Sequence, residues 1–177
     1  MELGHRGSVD AFYSGITRPI KFRISQLRGL SRFLKENRNL LLDTLARDLN
    51  KVGREIVLCE EEIQLALNNL HKWVKDEPVE KNLVTQLDSA FIRKEPYGVA
   101  LIIAPWNYPL NLLLVPLVGA IAAGNYVVLK PLEISKSMER VMAEVLPRYL
   151  DQVRVLPLLH NSCGTCLNLC SRDKSKP

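Results

Sequence analysis

The sequence predicts an α/β protein in which an N-terminal layer of helices precedes an incomplete parallel β-α-β-α unit. Two observations lead to this prediction. Apolar residues recur at helical spacing from residue 18 to residue 74, and residues 99–129 hold no charged side chain but are divided by prolines into short apolar segments. A chain of 177 residues is also long enough to bury one core without disulfides.

The helical layer is expected to occupy residues 1–82 and to contain two or three amphipathic helices. The last helix ends before Pro78, because a residue that precedes proline is pushed out of the helical backbone region. A weakly alternating run then predicts a strand or hairpin at residues 83–96. The apolar positions of the helices are Ile20, Ile24, Leu27, Leu41, Leu42, Leu45, Leu49, Ile63, Ala66, Leu67, Leu70, Trp73 and Val74.

The α/β unit is expected at residues 97–152. It begins with Val99–Ile103, a continuous apolar run typical of a strand buried on both faces. Residues 109–123 predict a buried helix that ends at Gly124, and residues 126–129 predict a second buried strand. Connections this short favour a parallel, right-handed arrangement of the two strands.

The unit is predicted to end with one more helix. Ser135 is suited to cap a helix that reaches about residue 150. Two strands do not make a stable parallel sheet, so the unit is expected to be incomplete. Residues 153–177 are expected to form a divergent, disordered tail.

The charge distribution argues against nucleic-acid binding. Twenty-four Lys and Arg residues against nineteen Asp and Glu residues give a net charge of +5. Four basic residues and one acidic residue after position 152 supply three of these charges, so the body of the chain has no evident basic face. These five residues are Arg154, Arg172, Lys174, Lys176 and Asp173.

The charge-free stretch is not a transmembrane helix, because Pro105, Pro109 and Pro116 divide it into pieces too short to span a bilayer. The N-terminus has no apolar signal segment and no glycine at position 2. Three of the four cysteines crowd residues 163–170, which is not the spacing of a secreted disulfide framework. A cytosolic protein is therefore expected.

Two strand ends are candidates for chemistry, because parallel sheets bind ligands at the carboxyl ends of their strands. After the first strand, Pro105 and Pro109 fix the backbone around Asn107, whose amide can donate a hydrogen bond to a developing oxyanion. A structural turn is the alternative. After the second strand, Lys130 and Glu133 can bracket a ribose, and the alternative is a solvated salt bridge.

These motifs strongly resemble the aldehyde dehydrogenase superfamily over about residues 9–152. The matching features are Pro-Trp-Asn-Tyr-Pro at residues 105–109, the helix that follows it, and Lys-Pro-Leu-Glu at residues 130–133. Within the superfamily the chain is most similar to the class 3 group, which includes the fatty aldehyde dehydrogenases. The resemblance implies an incomplete Rossmann-like fold and oxidation of aldehydes to carboxylic acids with NAD or NADP.

The resemblance also implies roles for individual residues. Asn107 corresponds to the asparagine that helps form the oxyanion hole, and Trp106 corresponds to a residue at the junction of cofactor and substrate. Tyr108 lies beside them on the substrate side. Lys130 and Glu133 correspond to the pair that holds the adenosine ribose. Leu132 departs from the small residue usual in the family, so weak or absent cofactor binding is expected.

The family's third strand, cofactor turn, general-base glutamate and nucleophilic cysteine are expected to be missing, as in a truncated isoform or fragment. Gly-Thr-Cys at residues 164–166 resembles the family's nucleophile motif only superficially. Cys166 follows Asn107 by too few residues to be the family's nucleophile. Without a nucleophile and a base, the chain is expected to be inactive alone.

Two further alternatives remain open. A non-catalytic module could pair with a full-length relative through an exposed sheet edge, and the same edge is also expected in an unstable splice product. The tail holds four potential zinc ligands within eleven residues, but no second ligand pair is present to fix a fold, so no metal site is predicted. These four are His160, Cys163, Cys166 and Cys170.

Overall fold

A computed structural model describes residues 9–50, 53–79, 90–131, 134–151 and 153–155. Between residues 18 and 74 the described chain forms three helices, in agreement with the two or three that the sequence predicts. They are α1 (Ile20–Glu36), α2 (Arg38–Leu49) and α3 (Arg54–Trp73). The predicted apolar positions are buried or half-buried except Trp73 and Val74 at the end of α3, which are 39% and 37% exposed. Helix α3 ends five residues before Pro78.

A small antiparallel ribbon follows the helical layer. It consists of β1 (Glu77–Pro78) and β2 (Phe91–Ile92), which pair Glu77 with Ile92 and Pro78 with Phe91. The strand predicted at residues 83–96 therefore includes β2, although its partner lies before that segment. Residues 80–89 lie outside the described residues.

The α/β unit contains β3 (Val99–Ile103), α4 (Asn111–Ala123), β4 (Tyr126–Lys130) and α5 (Lys136–Glu144). As predicted, α4 ends at Gly124, which adopts a left-handed conformation with a φ of 87°. The helix after Ser135 is shorter than expected, because Pro147 cannot continue it and a 3₁₀ turn, Leu146–Arg148, replaces its last part.

A third parallel strand, β5 (Val153–Val155), completes the described sheet in the order β3-β4-β5. The expectation that the family's third strand is missing is therefore wrong, and residues 153–155 do not belong to a disordered tail. They pair with residues 127–129 of β4, and Val153 is buried against the core. Residues 156–177 lie outside the described residues.

The position of each strand decides its burial. Central β4 is buried over Val127, Val128 and Leu129, as predicted. The prediction of a strand buried on both faces is wrong for β3, whose terminal residues Val99 and Ile103 are 38% and 55% exposed. The reason is that β3 is paired only with β4 among the described strands.

The core lies between the helical layer and the sheet. Helix α4 buries one face against α1, α3, β3 and β4, whereas the opposite face, which includes Leu112 and Pro116, is exposed. Gly29 of α1 approaches the backbone of Tyr149 so closely that a Cβ there would clash with its carbonyl oxygen. Among the described residues, no helix combines the length and the hydropathy needed to cross a membrane.

Hydrogen bonds fasten the end of the α/β unit to α1. The side-chain amide of Gln26 donates to a carboxylate oxygen of Asp151 at 2.9 Å, and the backbone N–H of Asp151 donates to the side-chain Oε1 of Gln26 at 2.8 Å. The hydroxyl of Tyr149 donates to Glu36 at 2.7 Å and accepts from the amide of Asn37 at 3.1 Å. The helical layer and the sheet are thus one packed unit.

Candidate functional site

The two strand ends that carry the candidate residues lie side by side. Parallel pairing of β3 with β4 places Ile103 opposite Lys130. The backbone N–H of Ala104 donates to the carbonyl oxygen of Lys130 at 3.2 Å, so the pairing continues into the connection after β3. The structure therefore brings the two predicted corners to the same edge of the sheet, as expected for parallel strands.

The corner between β3 and α4, residues 105–108, is exposed, whereas its two ends are buried. Trp106 is 52% exposed and Tyr108 is 46% exposed, and Asn107 between them is also exposed. Ala104 before the corner and Leu110 after it are buried. The predicted site residues consequently stand on a short projecting segment held at both ends by the core.

A carboxylate from the helical layer fixes the end of this corner. Glu55, in the first turn of α3, is 2% exposed, and its Oε2 accepts the backbone N–H groups of Leu110 and Asn111, both at 3.1 Å. These N–H groups belong to the first turn of α4, which has no partner for them within the helix. Glu55 thus caps α4 from a different helix.

The second crossover helix is capped in the same way. Asp48, near the end of α2, accepts the backbone N–H groups of Ser137 and Met138, both at 3.1 Å. Ser135 is the N-cap residue as predicted, but its hydroxyl makes no capping hydrogen bond and is buried without a hydrogen-bond partner. The N-terminus of a helix is a common phosphate site, and carboxylates fill both of those at this edge.

The structure describes one residue of the pair predicted to hold a ribose, Lys130 and Glu133. Lys130 is half-buried at the end of β4, and Pro131 after it is buried. Glu133 and Leu132 lie outside the described residues. The described structure therefore contains two of the predicted cofactor residues, Trp106 and Lys130, at neighbouring strand ends.

The described part of the chain contains one cysteine, Cys59, and it is not suited to nucleophilic attack. Its side chain is fully buried in α3. Burial raises the pKa of the Cys59 thiol to about 12, and the negative charge of nearby Glu55 contributes to the increase. A thiol with such a pKa holds almost no thiolate at neutral pH.

The four potential zinc ligands of the tail, His160, Cys163, Cys166 and Cys170, lie outside the described residues. Within the described residues, no group of three or more His, Cys, Asp or Glu side chains could hold a metal ion.

Sequence reasoning missed Glu55 and Asp48, although Glu55 left a signal. It lies one turn before Cys59 and two turns before Ile63, on the buried face of an amphipathic helix. An acidic residue in such a position must have a hydrogen-bonding partner. Its partners lie 55 and 56 residues away along the chain, so no local sequence pattern identifies them.

Comparisons with known proteins extend these observations. The model of the aldehyde dehydrogenase family matches residues 9–159. The chain is 64% identical over 148 residues to human aldehyde dehydrogenase family 3 member B1, covering 81% of this chain and 32% of that protein. It is 45% identical over 157 residues to family 3 member A2 of Pongo abelii, covering 86% and 32%. The chain therefore spans about a third of the length of these relatives.

Solved structures share the fold. The substrate-bound state of Staphylococcus aureus AldH superposes with a TM-score of 0.84 at 35% identity, covering 88% of this chain and 35% of that one. Succinic semialdehyde dehydrogenase from Streptococcus pyogenes, in complex with NADP⁺, superposes with a TM-score of 0.78, covering 94% and 38%. At 17% identity the second comparison concerns the fold alone.

Proposed function

Because the chain belongs to the aldehyde dehydrogenase family, and within it to the class 3 group, we propose that its sheet edge is the oxyanion and adenosine part of an NAD(P)-dependent aldehyde oxidation site. The observation that carries this proposal is the register of β3 and β4, which places the Asn107 corner beside Lys130. Asn107 and Lys130 were identified separately in the sequence, and they lie on the same edge of the folded chain.

Asn107 is assigned the role of oxyanion donor. Its side-chain amide stands on an exposed corner whose two ends are buried, so the backbone that carries the amide is held in place before a substrate arrives. A donor fixed in advance stabilises the negative charge that forms on the aldehyde oxygen when a nucleophile attacks the carbonyl carbon. Loss of one such donor typically costs about 3 to 4 kcal/mol of transition-state stabilisation.

The cofactor and substrate are assigned to the neighbouring residues. Lys130 and Glu133 would hold the adenosine ribose, Trp106 would lie where cofactor and aldehyde meet, and Tyr108 would contact the aldehyde. NAD or NADP, when bound, supplies the acceptor for the hydride that leaves the substrate carbon. Since Leu132 departs from the small residue usual in the family, and carboxylates cap both α4 and α5 at this edge, we expect weak binding to this chain.

We propose that the chain alone does not oxidise aldehydes. Oxidation through a covalent intermediate requires a thiolate at the oxyanion site, and the cysteine of the described residues, Cys59, is buried and protonated. Purified protein incubated with an aldehyde and NAD or NADP is expected to produce no NADH or NADPH. Aldehyde-dependent production of the reduced cofactor would overturn this part of the proposal.

A nucleotide titration tests the binding part. The ¹⁵N-labelled chain is titrated with NAD, NADP and adenosine while the amide resonances of Lys130 and of the corner are followed by NMR. We expect all three to shift these resonances, and Lys130→Ala to weaken binding about tenfold, whereas Lys136→Ala on the exposed start of α5 should leave binding unchanged. The proposal fails if no ligand shifts the resonances, or if both variants bind as the parent does.

A second candidate function is a non-catalytic module that pairs with a full-length class 3 relative in the cytosol. The observation in its favour is β3, which pairs on one side only among the described strands and has exposed ends. Co-expression with a full-length relative should then yield a stoichiometric complex, and Val99→Lys should weaken it. Recovery with chaperones alone would instead indicate an unstable splice product.

A further inference from the structure

The corner that carries Asn107 rests on a buried carboxylate from another helix. Glu55 is 2% exposed, and one of its oxygens accepts two backbone hydrogen bonds from the first turn of α4. We infer that Glu55 is the positioning residue for Asn107: it sets the place of the donor amide without contacting the reacting atoms. This inference rests on the proposed role of Asn107 as oxyanion donor.

The corner has two backbone anchors. At its beginning, the N–H of Ala104 donates to the carbonyl oxygen of Lys130 at 3.2 Å. At its end, the carboxylate of Glu55 holds the N–H groups of Leu110 and Asn111. With residues 105–108 exposed between these anchors, a shift of either anchor moves Asn107.

The second anchor, in the first turn of α4, is linked to the corner by a backbone hydrogen bond. The carbonyl oxygen of Tyr108 accepts the backbone N–H of Leu112 at 3.0 Å, so Tyr108 already belongs to the hydrogen-bond ladder of α4. Asn107 is its immediate neighbour. Displacement of the first turn of α4 therefore reaches Asn107 through one peptide bond.

The charge of Glu55 makes this anchor stiff. A buried carboxylate requires strong partners, and here they are two N–H groups together with the positive end of the α4 dipole. Hydrogen bonds to an ionised acceptor are shorter and stronger than those between neutral groups. A neutral amide in the same place keeps an acceptor oxygen but loses the charge, so it should hold the turn less firmly.

Asp48 provides a matched control within the same molecule. It accepts two N–H groups at the start of α5 with the same distances, also from the helical layer. That helix follows β4, whereas the corner of Asn107 follows β3. Removal of the Asp48 charge should weaken a crossover helix without moving Asn107, and this separates positioning from general stability.

The test uses the full ¹⁵N-labelled chain with Glu55→Gln, Glu55→Ala and Asp48→Asn. Two-dimensional NMR follows the side-chain amide of Asn107, the indole of Trp106 and the amides of residues 110, 111, 137 and 138. We expect both Glu55 variants to shift the Asn107 side-chain resonances, with the larger change in Glu55→Ala. Asp48→Asn should shift residues 137 and 138 and leave Asn107 in place.

Unchanged Asn107 resonances in the Glu55 variants would overturn the inference, and so would an equal shift in Asp48→Asn. If Glu55→Ala does not fold, Glu55→Gln decides, since it retains an acceptor oxygen. None of these readouts requires a bound nucleotide or aldehyde. A chain that binds no nucleotide therefore contradicts the proposed function while the positioning role is still tested.

Discussion

The two ends of α4 are both held by charged side chains of the helical layer, yet they serve different purposes. At the N-terminus, Glu55 accepts two N–H groups beneath the candidate site. At the C-terminus, the guanidinium of Arg23 donates to the carbonyl oxygens of Ala122 and Thr17, both at 3.1 Å. Each charge has the sign that complements the helix dipole.

The two ends of α4 differ in the chain segments that lie next to them. Arg23 is packed against Gly124, where the chain turns from α4 toward β4 at the edge opposite the site. Burial lowers the pKa of Arg23, and the charge of Glu95 partly opposes this effect. The comparison teaches that caps of opposite charge hold one helix at both ends, and that the N-terminal cap lies next to the corner proposed to bind the ligand.

Replacement of the N-terminal cap is expected to have the largest effect. Glu55→Ala leaves two N–H groups without their ionised acceptor, of which Leu110 N–H is buried. We expect the free energy of unfolding to fall by about 3 to 5 kcal/mol, since each hydrogen bond to a charged group contributes roughly 1.5 to 3 kcal/mol. Urea unfolding followed by circular dichroism measures the change. A loss below about 1 kcal/mol would show that water replaces the carboxylate.

At the C-terminal end, Gly124→Ala is expected to cost about 2 to 4 kcal/mol. The φ of 87° strains any other residue, and a Cβ would lie 2.6 Å from the Arg23 guanidinium. Urea unfolding of the single variants and of Gly124→Ala with Arg23→Ala forms a double-mutant cycle. Because Arg23→Ala removes the side chain that the new Cβ would meet, the double variant should lose less stability than the sum of the two single losses. Strictly additive losses would contradict the steric explanation.

The stability of the chain at high pH depends on Cys59, which lies one turn after Glu55 on α3. Its pKa is raised from 9.0 to about 12 in the folded chain, mainly by burial. Above pH 9 the unfolded thiol loses its proton and the folded thiol keeps it. Stability should therefore fall as the pH rises from 9 toward 12, with a slope that approaches about 1.4 kcal/mol per pH unit within this range.

Urea unfolding at pH 8, 9 and 10 measures this dependence, and the same series on Cys59→Ala isolates the contribution of the thiol. Glu55→Gln should reduce the slope near pH 10 slightly, because the charge of Glu55 is the second cause of the shift. A parent and a Cys59→Ala variant with identical slopes would refute the assignment.

The smallest effect on stability is expected at the site itself. Asn107→Ala replaces an exposed side chain and should change the free energy of unfolding by less than about 0.5 kcal/mol. Thermal and urea unfolding check this expectation, with Glu55→Ala as the contrasting variant. A loss comparable to that of Glu55→Ala would mean that Asn107 is a structural residue and would favour the turn interpretation.

The sequence was informative where local chemistry decides the structure. The bounds of β3, the end of α4 at Gly124 and the start of β4 follow from apolar runs and their prolines and glycines. That the corner of Asn107 and Lys130 lie on the same edge of the sheet follows from the rule that the carboxyl ends of parallel strands share one edge. Features that depend on neighbouring residues could therefore be predicted from the sequence.

Features that depend on distant partners were missed. Strand β5 is three residues long, too short for a periodic pattern, and it exists because β4 offers an open edge. The capping roles of Glu55 and Asp48 depend on partners far along the chain. The partial exposure of β3 depends on its position in the strand order, which cannot be predicted from the apolar residues of this strand alone.

The pair formed by Gln26 and Asp151 has a consequence for the order of folding. These residues bond reciprocally although 125 positions separate them. During synthesis α1 emerges long before its partner, and β4 receives its neighbour β5 only after Asp151 has left the ribosome. Closing so long a loop is entropically costly. The fastening of α1 to Asp151 therefore forms late, and nascent chains halted before residue 151 should lack both this fastening and the pairing of β4 with β5.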